Sequence, residues 1–297
     1  MVERAVAELA LLVLTLFWGT TFLLVKNALV GTSTGAFLAL RFALAAVALG
    51  LVWLVRRDRP TPGLWRHGIL LGLAMFGGFA FQTLGLRYTT PARSGFITGM
   101  SVLLVPFIAR FALGRRVPRF AWVGIALAAV GILALTRPFG DHVDALVRLG
   151  DLLTAACAIT YAFQIIYISE WSSRHRLAPL VFLQVTVTFI GSLLLLPLEP
   201  VRVAWGAPLL GTVLFTGLCM TAGAFFIMNW AQRHTTAVRA ALIFSLEPAA
   251  AALFSNLVGG EALGFWDWTG GALVVVGVAV GELGSALFSR VVAEPAP

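Results

Sequence analysis

The sequence predicts an all-α membrane protein whose ten transmembrane helices form two inverted five-helix repeats around a central cavity. Three observations lead to this fold class. Of the 297 residues, 60% are hydrophobic and 11% are charged, whereas about a quarter of the residues of a soluble domain are charged. Ten apolar stretches have the length of a membrane span, and one short motif occurs in each half of the chain. The chain therefore belongs in lipid and contains an internal duplication.

The ten predicted helices follow from the apolar stretches, because an α-helix needs about 20 mostly apolar residues to cross a bilayer. The connections between them are short and leave no room for a soluble domain. The first apolar run continues to Trp18 without a cleavage site of small residues, so we interpret it as a retained span rather than a signal peptide. The predicted spans are about residues 8–27, 34–55, 65–86, 94–113, 119–136, 149–169, 178–196, 207–231, 237–257 and 267–287.

The repeated motif sets the relation between the two halves. Residues 87–93 read Arg-Tyr-Thr-Thr-Pro-Ala-Arg, and residues 233–239, which lie 146 positions later, read Arg-His-Thr-Thr-Ala-Val-Arg. Each half holds five spans, and an odd number makes the second half enter the membrane from the opposite side. We therefore expect a first repeat over 1–136, a connecting loop over 137–148 and an inverted second repeat over 149–290, all within one membrane domain. The same spacing relates Gly114 to Gly260, Trp122 to Trp268, Gly124 to Gly270, Leu127 to Leu273 and Gly131 to Gly277.

Positive charge indicates the orientation of the chain. If the N-terminus is cytoplasmic, most arginines lie in cytoplasmic segments, as Arg56, Arg57 and Arg59 do between the second and third spans. The positive-inside rule then places both termini in the cytoplasm. The formal net charge of +8 is spread over the loops and forms no basic patch with interleaved aromatic residues, so we expect no nucleic acid as a partner.

The sequence lacks the motifs of several other classes of protein. It contains no GxxxxGK[ST] phosphate loop, no HExxH and no cluster of His, Cys and Asp residues. Cys157 and Cys219 have no CxxC spacing, so we interpret them as small packing residues. We therefore expect no ATP-driven transport, no metal, no cofactor and no enzymatic activity.

Polar side chains in the middle of a span are costly, so those that occur there are candidates for a function. Glu247 in the ninth span either recognises a substrate ammonium or carries a proton; alternatively, it is a protonated acid that only fixes helix packing. Arg41 in the second span is expected to extend to the lipid headgroups, with binding of a substrate carboxylate as the alternative. The other polar or amphipathic residues at this depth include Trp18, Gln82, Ser101, Tyr161, Gln164, Tyr167, Asn229 and Ser245.

Pro106 and Pro248 lie in the fourth and ninth spans, about one helical turn apart in the register of the repeat. A proline removes a backbone donor and weakens the helix around the preceding turn. We interpret both residues as gating hinges, with fixed bends as the alternative.

Several aromatic residues lie in the predicted spans. A cavity walled by Trp18, Phe79, Tyr161 and Phe163 would suit a flat apolar solute; alternatively, single rings face lipid or form the interfacial belts.

Gly277 belongs to a GxxxG pattern in the tenth span, and small faces allow close helix contact. We expect the fifth and tenth helices to pack together within one chain, so a monomer is predicted and a dimer is the alternative.

A further set of short segments carries a resemblance to a known family. They are Phe17-Trp18-Gly19-Thr20-Thr21-Phe22, Lys26, Arg41, Tyr88-Thr89-Thr90-Pro91-Ala92, Ser245-Leu246-Glu247-Pro248 and Gly259-Gly260-Glu261. Together they resemble the drug/metabolite transporter superfamily, and within it the EamA-type amino-acid and metabolite exporters, over nearly the whole chain. The resemblance implies two inverted five-helix repeats whose helix 3/4 and 8/9 hairpins rock to open one side of a central cavity at a time.

In its overall likeness the chain resembles the bacterial aromatic amino-acid exporters. This implies a secondary transporter that exports aromatic or hydrophobic amino acids and related small metabolites across a bacterial inner membrane. The competing hypotheses are a multidrug or nucleotide-sugar carrier of the same superfamily and, from another class, a membrane-embedded enzyme or channel. The substrate-binding residues that the resemblance implies are Trp18, Phe79, Gln82, Met100, Ser101, Tyr161, Phe163, Ser245 and Glu247.

Overall fold

The computed structural model describes residues 2–111, 113–114, 117, 119–136, 144–260 and 262–293. None of these residues lies in a β-strand, so the all-α prediction is confirmed for the described part of the chain. Residues 137–143 of the predicted connecting loop, Ala112 and Glu261 lie outside the described residues. The α-helices are α1 (Val2–Ala28), α2 (Thr34–Arg56), α3 (Leu64–Leu86), α4 (Pro91–Thr98), α5 (Met100–Phe111), α6 (Arg119–Thr136), α7 (Ala145–Trp171), α8 (Leu177–Leu193), α9 (Ala207–Leu214), α10 (Ala224–Ala231), α11 (Ala237–Phe244), α12 (Glu247–Leu257) and α13 (Phe265–Ala293).

Eight helical segments of the described chain are long and apolar enough to cross a membrane. They lie at the first four predicted spans and at the sixth to the ninth. The fifth and tenth predicted spans lie at α6 and α13, whose apolar stretches, Trp122–Gly131 and Phe265–Gly281, are shorter. The eight segments are Val2–Ala28, Thr34–Arg56, Leu64–Leu86, Pro91–Phe111, Ala145–Arg174, Leu177–Leu198, Ala207–Ala231 and Ala237–Leu257.

The two copies of the repeated motif each begin a helix in the same way. Thr90 precedes α4 and Thr236 precedes α11, and each side-chain oxygen accepts a hydrogen bond of 3.3 Å from the backbone N–H of Arg93 or Arg239, respectively. Threonine is a favoured N-cap because it satisfies a backbone donor that the first turn leaves unpaired. The threonine and the arginine of the motif thus have the same local role in both halves.

Two of the spans are each built from two helices. The first break lies at Gly99, between α4 and α5, and the second lies between α11 and α12. Pro248 is in the first turn of α12, where the missing N–H costs nothing, whereas Pro106 lies inside α5, which continues past it. A Cβ on Gly99 would lie only 2.6 Å from Pro248 Cγ, so the two breaks pack directly against each other.

A third span changes its helical geometry without breaking. Between α9 and α10 the chain forms a π-helix over Phe215–Gly223. A π-helix is rare, and short π segments occur frequently at functional sites. The positions 146 residues earlier, 69–77, lie in the regular helix α3, so the π-helix is a difference between the two halves.

Helices of the first half pack mainly against helices of the second. The contacting pairs include α1 with α12, α2 with α8, α3 with α7, and α6 with α13. The predicted packing of the fifth span on the tenth is therefore confirmed. Glycines allow it: a Cβ on Gly277 would lie 2.6 Å from the backbone oxygen of Gly124, and a Cβ on Gly131 would lie 2.6 Å from that of Gly270.

The two motifs lie at opposite ends of the bundle. The first begins directly after α3, a helix of 23 residues that is about 34 Å long at 1.5 Å per residue. Near the other end of α3, His67 contacts His175, whose backbone oxygen accepts a hydrogen bond from Arg233 of the second motif. One end of the bundle therefore carries residues 87–93, and the other carries residues 233–239.

We expect Gly277→Leu to destabilise the protein, because the added side chain would force α6 and α13 apart. Overpacking of this kind costs about 1–3 kcal/mol. Gly211→Leu is the matched control, since a Cβ on Gly211 would meet no atom within 4 Å. The measurement is the temperature at which detergent-purified protein leaves the monodisperse peak in size-exclusion chromatography; equal temperatures for the two variants would contradict the close glycine contact.

Candidate functional site

A cavity lies where the two halves meet and is lined by residues of both. Of the nine residues predicted to bind substrate, six line it: Trp18, Phe79, Gln82, Ser101, Tyr161 and Glu247. The remaining lining residues are Thr21, Arg41, Thr98, Gln164, Ile165, Phe225, Met228 and Phe244.

Aromatic rings form one wall of the cavity. The ring of Trp18 lies 5.6 Å from those of Phe225 and Phe244, and Trp18 Nε1 donates a hydrogen bond of 3.1 Å to a backbone oxygen of the π-helix. Phe79 continues the wall, with ring centroids 5.9 Å from Phe225 and 5.7 Å from Tyr161. These separations are those of tilted and edge-to-face aromatic pairs, so the rings support one another as a rigid apolar surface.

The polar side chains of the cavity are only partly satisfied by the protein. Gln82 Nε2 donates to Thr98 Oγ1 at 3.2 Å. Gln164 is 1% exposed, yet its Nε2 has no hydrogen-bond partner among the described residues. Glu247 forms no ion pair or hydrogen bond with any residue of the described chain. A polar group enclosed in a bundle without a partner is costly, and these groups all face the cavity.

Arg41 also lines the cavity, and its predicted extension to the headgroups is wrong. Its side chain is buried, with 3% of the residue exposed. The Nε atom donates to Thr221 Oγ1 at 2.8 Å, and the guanidinium carbon lies 4.6 Å from the ring centroid of Phe79. The arginine is therefore held inside the bundle by a cation–π contact and a hydrogen bond, rather than at the membrane surface.

Three predicted residues do not reach the cavity. Phe163 is 39% exposed and stacks on Tyr167, because a step of two residues from Tyr161 turns the side chain to another face of α7. Met100 packs in a separate small hydrophobic cluster. Ser245 is buried, but its hydroxyl donates to the backbone oxygen of Leu242 at 2.6 Å and is thereby satisfied within its own helix.

Several lining residues were not among the predicted site residues. Phe225, Met228 and Phe244 are ordinary apolar residues in apolar spans, and nothing in the sequence distinguishes them from lipid-facing ones. Gln164 could have been predicted as a lining residue, because it is an amide in the middle of a span, one helical turn after Tyr161 and on the same face of the helix. In the described residues, no group of three or more His, Cys, Asp or Glu side chains could hold a metal ion.

At one end of the bundle, the first motif binds two acidic residues, Asp151 in α7 and Glu199 in the segment between α8 and α9. Thr89 Oγ1 donates to Asp151 Oδ1 at 2.9 Å, and Arg93 forms an ion pair with the same carboxylate. Arg87 forms an ion pair with Glu199. Burial raises the pKa of Glu199, but hydrogen bonds from Arg87 and a backbone N–H lower it more, so that the net pKa is below its ordinary value. The Glu199 carboxylate therefore remains charged at neutral pH.

At the opposite end, the second motif makes corresponding contacts. Thr235 Oγ1 donates to Glu8 Oε1 at 3.1 Å, and Arg239 forms an ion pair of 3.5 Å with the same atom. Arg233 donates to the backbone oxygen of His175 at 2.6 Å. Burial lowers the pKa of His175 below its ordinary value, so its imidazole is neutral at pH 7. In each half, the motif thus joins its hairpin to an acid near the start of another long helix, α7 or α1.

Comparison with known proteins identifies the relatives of this chain. A sequence model described as the EamA-like transporter family matches residues 5–137 and 148–281. An uncharacterized transporter of Archaeoglobus fulgidus is 32% identical over 282 residues, which cover 95% of this chain and 87% of that protein. The uncharacterized transporter YoaV of Bacillus subtilis is 20% identical over 257 residues, 84% of this chain and 87% of its own length. A solved protein crystal structure with 21% identity has a TM-score of 0.73 over 93% of this chain and 96% of that one, which supports the fold alone.

We expect a thiol introduced into the cavity to react with a charged thiol reagent much faster than one on the lipid-facing surface. In a Cys219→Ser background, Gln82→Cys should react roughly tenfold or more faster than Phe163→Cys, because a thiolate forms readily only where water reaches it. The measurement is the rate of mass increase with a cationic methanethiosulfonate, and the parent Cys219→Ser protein reports any reaction of buried Cys157. Equal rates for the two variants would contradict a solvated cavity at this position.

Proposed function

The chain belongs to the EamA-like transporter family, and we propose that its function is secondary export of aromatic and hydrophobic amino acids and related small metabolites. The proposed setting is a bacterial inner membrane, with both termini in the cytoplasm and the chain acting as a monomer. The observation that carries the substrate assignment is the aromatic wall of the cavity. An aromatic substrate ring packed against such a wall gains about 0.5–1.5 kcal/mol per ring pair beyond the burial of its area.

The proposed binding residues divide by chemistry. Trp18, Phe79 and Tyr161 contact the substrate side chain, and Gln82 contributes a hydrogen bond from the cavity side of α3. Glu247 provides the acid that an ammonium group requires, since it has no partner in the described chain. The three predicted residues that lie away from the cavity have no place in this proposal.

We expect purified protein in liposomes to show counterflow of phenylalanine, in which unlabelled phenylalanine inside drives accumulation of the labelled form from outside. Tyr161→Ala should lower the initial rate by roughly tenfold or more, since removal of a buried aromatic contact costs about 1.4 kcal/mol or more of binding. Phe163→Ala is the matched control and should retain the parent rate, because it removes an aromatic ring of similar size from an exposed face of the same helix.

Absence of accumulation by the parent protein would remove aromatic amino acids as substrates. Counterflow would then be measured with nucleotide sugars and cationic drugs. Equal loss of transport in the Tyr161 and Phe163 variants would instead contradict the proposed location of the site.

The proposed mechanism is alternating access in a bundle of ten helices formed by two inverted repeats. Three features spaced by 146 residues support it. The threonine caps of the two motifs have equal geometry, and Gly114 and Gly260 have nearly equal positive φ values of 64° and 67°. In addition, the motifs lie at opposite ends of the bundle, as expected if one repeat is inverted relative to the other.

In this mechanism, the two motif contacts are latches on opposite faces of the membrane. We define the outer latch as Thr89 and Arg93 with Asp151, and the inner latch as Thr235 and Arg239 with Glu8. Each joins the start of a broken span, α4 or α11, to a long helix. Pro106 and Pro248 lie in these same broken spans, so release of one latch allows the adjoining helices to swing about the breaks.

We expect Asp151→Asn and Glu8→Gln to shift access to the cavity in opposite directions, because each removes the charge of one latch. In the Cys219→Ser/Gln82→Cys background, Asp151→Asn should increase labelling from the external face, and Glu8→Gln should increase labelling from the cytoplasmic face. The measurement compares an impermeant thiol reagent on right-side-out and inside-out vesicles. Asp58→Asn, which removes a carboxylate in the connection between α2 and α3, is the control, and a shift of both latch variants toward the same face would contradict the mechanism.

A further inference from the structure

We propose that Arg41 binds the carboxylate of the transported molecule, and that Thr221 and the π-helix hold its guanidinium in place for this purpose. The inference rests on the proposed function, since it concerns the substrate of the same cavity. It narrows the substrate class to aromatic or hydrophobic carboxylic acids, including amino acids, and excludes amines that have no acid group.

The guanidinium of Arg41 has donors that the protein does not use. Only its Nε atom donates to an acceptor in the described chain, which is Thr221 Oγ1. Glu247 is the one acid among the residues that line the cavity, and no ion pair joins it to Arg41. A buried cation without an anion is costly, whereas a planar guanidinium binds a carboxylate through two parallel hydrogen bonds. A substrate carboxylate would therefore supply the missing anion.

The π-helix sets the position of the Thr221 hydroxyl. Thr221 Oγ1 donates to the backbone oxygen of Thr216 at 2.7 Å, five residues earlier. A hydroxyl in a regular α-helix bonds to the carbonyl three or four residues earlier, so this contact depends on the wider turn. With its hydrogen directed to Thr216, the hydroxyl presents a lone pair to Arg41 Nε. Gly217 permits the approach, since a Cβ there would lie 3.0 Å from the backbone oxygen of Arg41.

A carboxylate at Arg41 would place the remainder of the substrate against the aromatic wall. The guanidinium lies over the ring of Phe79, which in turn contacts Tyr161 edge-on. Tyr161, Arg41 and Glu247 all line the cavity, so the cation and the acid face the same space. Gln164, one turn further along α7, adds an amide donor that has no partner among the described residues and is available to a second oxygen.

This arrangement is not a consequence of the internal duplication. The position 146 residues after Arg41 is Val187, and the position 146 residues before Thr221 is Met75, in regular helix α3. The cation, its hydroxyl partner and the π-helix therefore occur in one copy only. Unique features inside a duplicated bundle are those expected of a site that recognises an asymmetric molecule.

The first test is competition against phenylalanine counterflow by two analogues that each lack one charged group. 3-Phenylpropionate keeps the carboxylate, and phenethylamine keeps the ammonium. We expect 3-phenylpropionate to inhibit at concentrations at least roughly tenfold lower than phenethylamine, because only the acid satisfies the buried guanidinium. Equal inhibition by the two analogues, or stronger inhibition by the amine, would overturn the proposal.

The second test concerns Thr221 as a positioning residue. Thr221→Val keeps the shape but removes the hydroxyl, and should raise the KM for phenylalanine by roughly tenfold while changing the maximal rate little, since ground-state binding is lost. Thr221→Ser keeps the hydroxyl and should restore the parent KM. A Thr221→Val protein with the parent KM, or an equal change in both variants, would contradict the role of the hydroxyl.

A separate measurement distinguishes a failure of this inference from a failure of the proposed function. If phenylalanine is not transported, 3-phenylpropionate binding is followed by thermal stabilisation of the purified protein. Stabilisation that is present in the parent and lost in a monodisperse Arg41→Gln variant would support the carboxylate site even though the amino-acid assignment had failed. Stabilisation that persists in Arg41→Gln, or none in the parent, would overturn it.

Discussion

In a bundle surrounded by lipid, a polar side chain is stable only where it has a partner or faces a cavity, and much of this molecule follows from that constraint. Many polar side chains of the spans are satisfied within their own helix. The hydroxyls of Thr188 and Ser192, for example, donate hydrogen bonds to backbone carbonyls of α8. Arg41, Gln164 and Glu247 each retain a polar group that no described residue satisfies, as do some buried groups elsewhere, such as the hydroxyls of Ser94 and Ser255. Unlike those hydroxyls, these three residues line one cavity, where a polar ligand could satisfy them together.

The two halves of the molecule agree at the ends of the bundle and differ at its centre. At the ends, the repeated threonine and arginine bind an acid of another helix in each half, Asp151 in one and Glu8 in the other. At the centre, Arg41, Glu247 and the π-helix have no counterpart of the same kind. In the proposed mechanism, symmetry at the ends allows two gates of similar strength to exchange, whereas asymmetry at the centre provides one site with a defined orientation for the substrate.

Those parts of the fold that depend on local chemistry could be predicted from the sequence. Hydropathy located eight of the ten predicted spans as segments able to cross a membrane, because the lipid requirement applies to each stretch separately. The repeated motif located the starts of α4 and α11, because each N-cap depends only on residues of the motif itself. The two prolines did not locate both helix breaks. Pro106 lies inside α5, whereas the break lies at Gly99, which packs against Pro248 of the other half.

The candidate site could be predicted only in part, because the packing of the helices against one another determines which residues line the cavity. Trp18 and Tyr161 were identified, but Phe225 and Phe244 have the same composition as lipid-facing residues and enter the cavity only through the packing of the bundle. Arg41 was placed wrongly because its distance from the helix end permits extension to the headgroups. What decides its position is a hydroxyl 180 residues away in the chain, and no local pattern reveals that hydroxyl or the π-helix that presents it.

The most direct test of this account is a structure determined by electron cryomicroscopy of the full chain in lipid nanodiscs with saturating phenylalanine. We expect ligand density between the halves, with the ligand carboxylate within hydrogen-bond distance of the Arg41 guanidinium and the ligand ring against the wall of Trp18, Phe79 and Tyr161. Density that leaves Arg41 without a ligand contact, or a ligand bound outside this cavity, would contradict it.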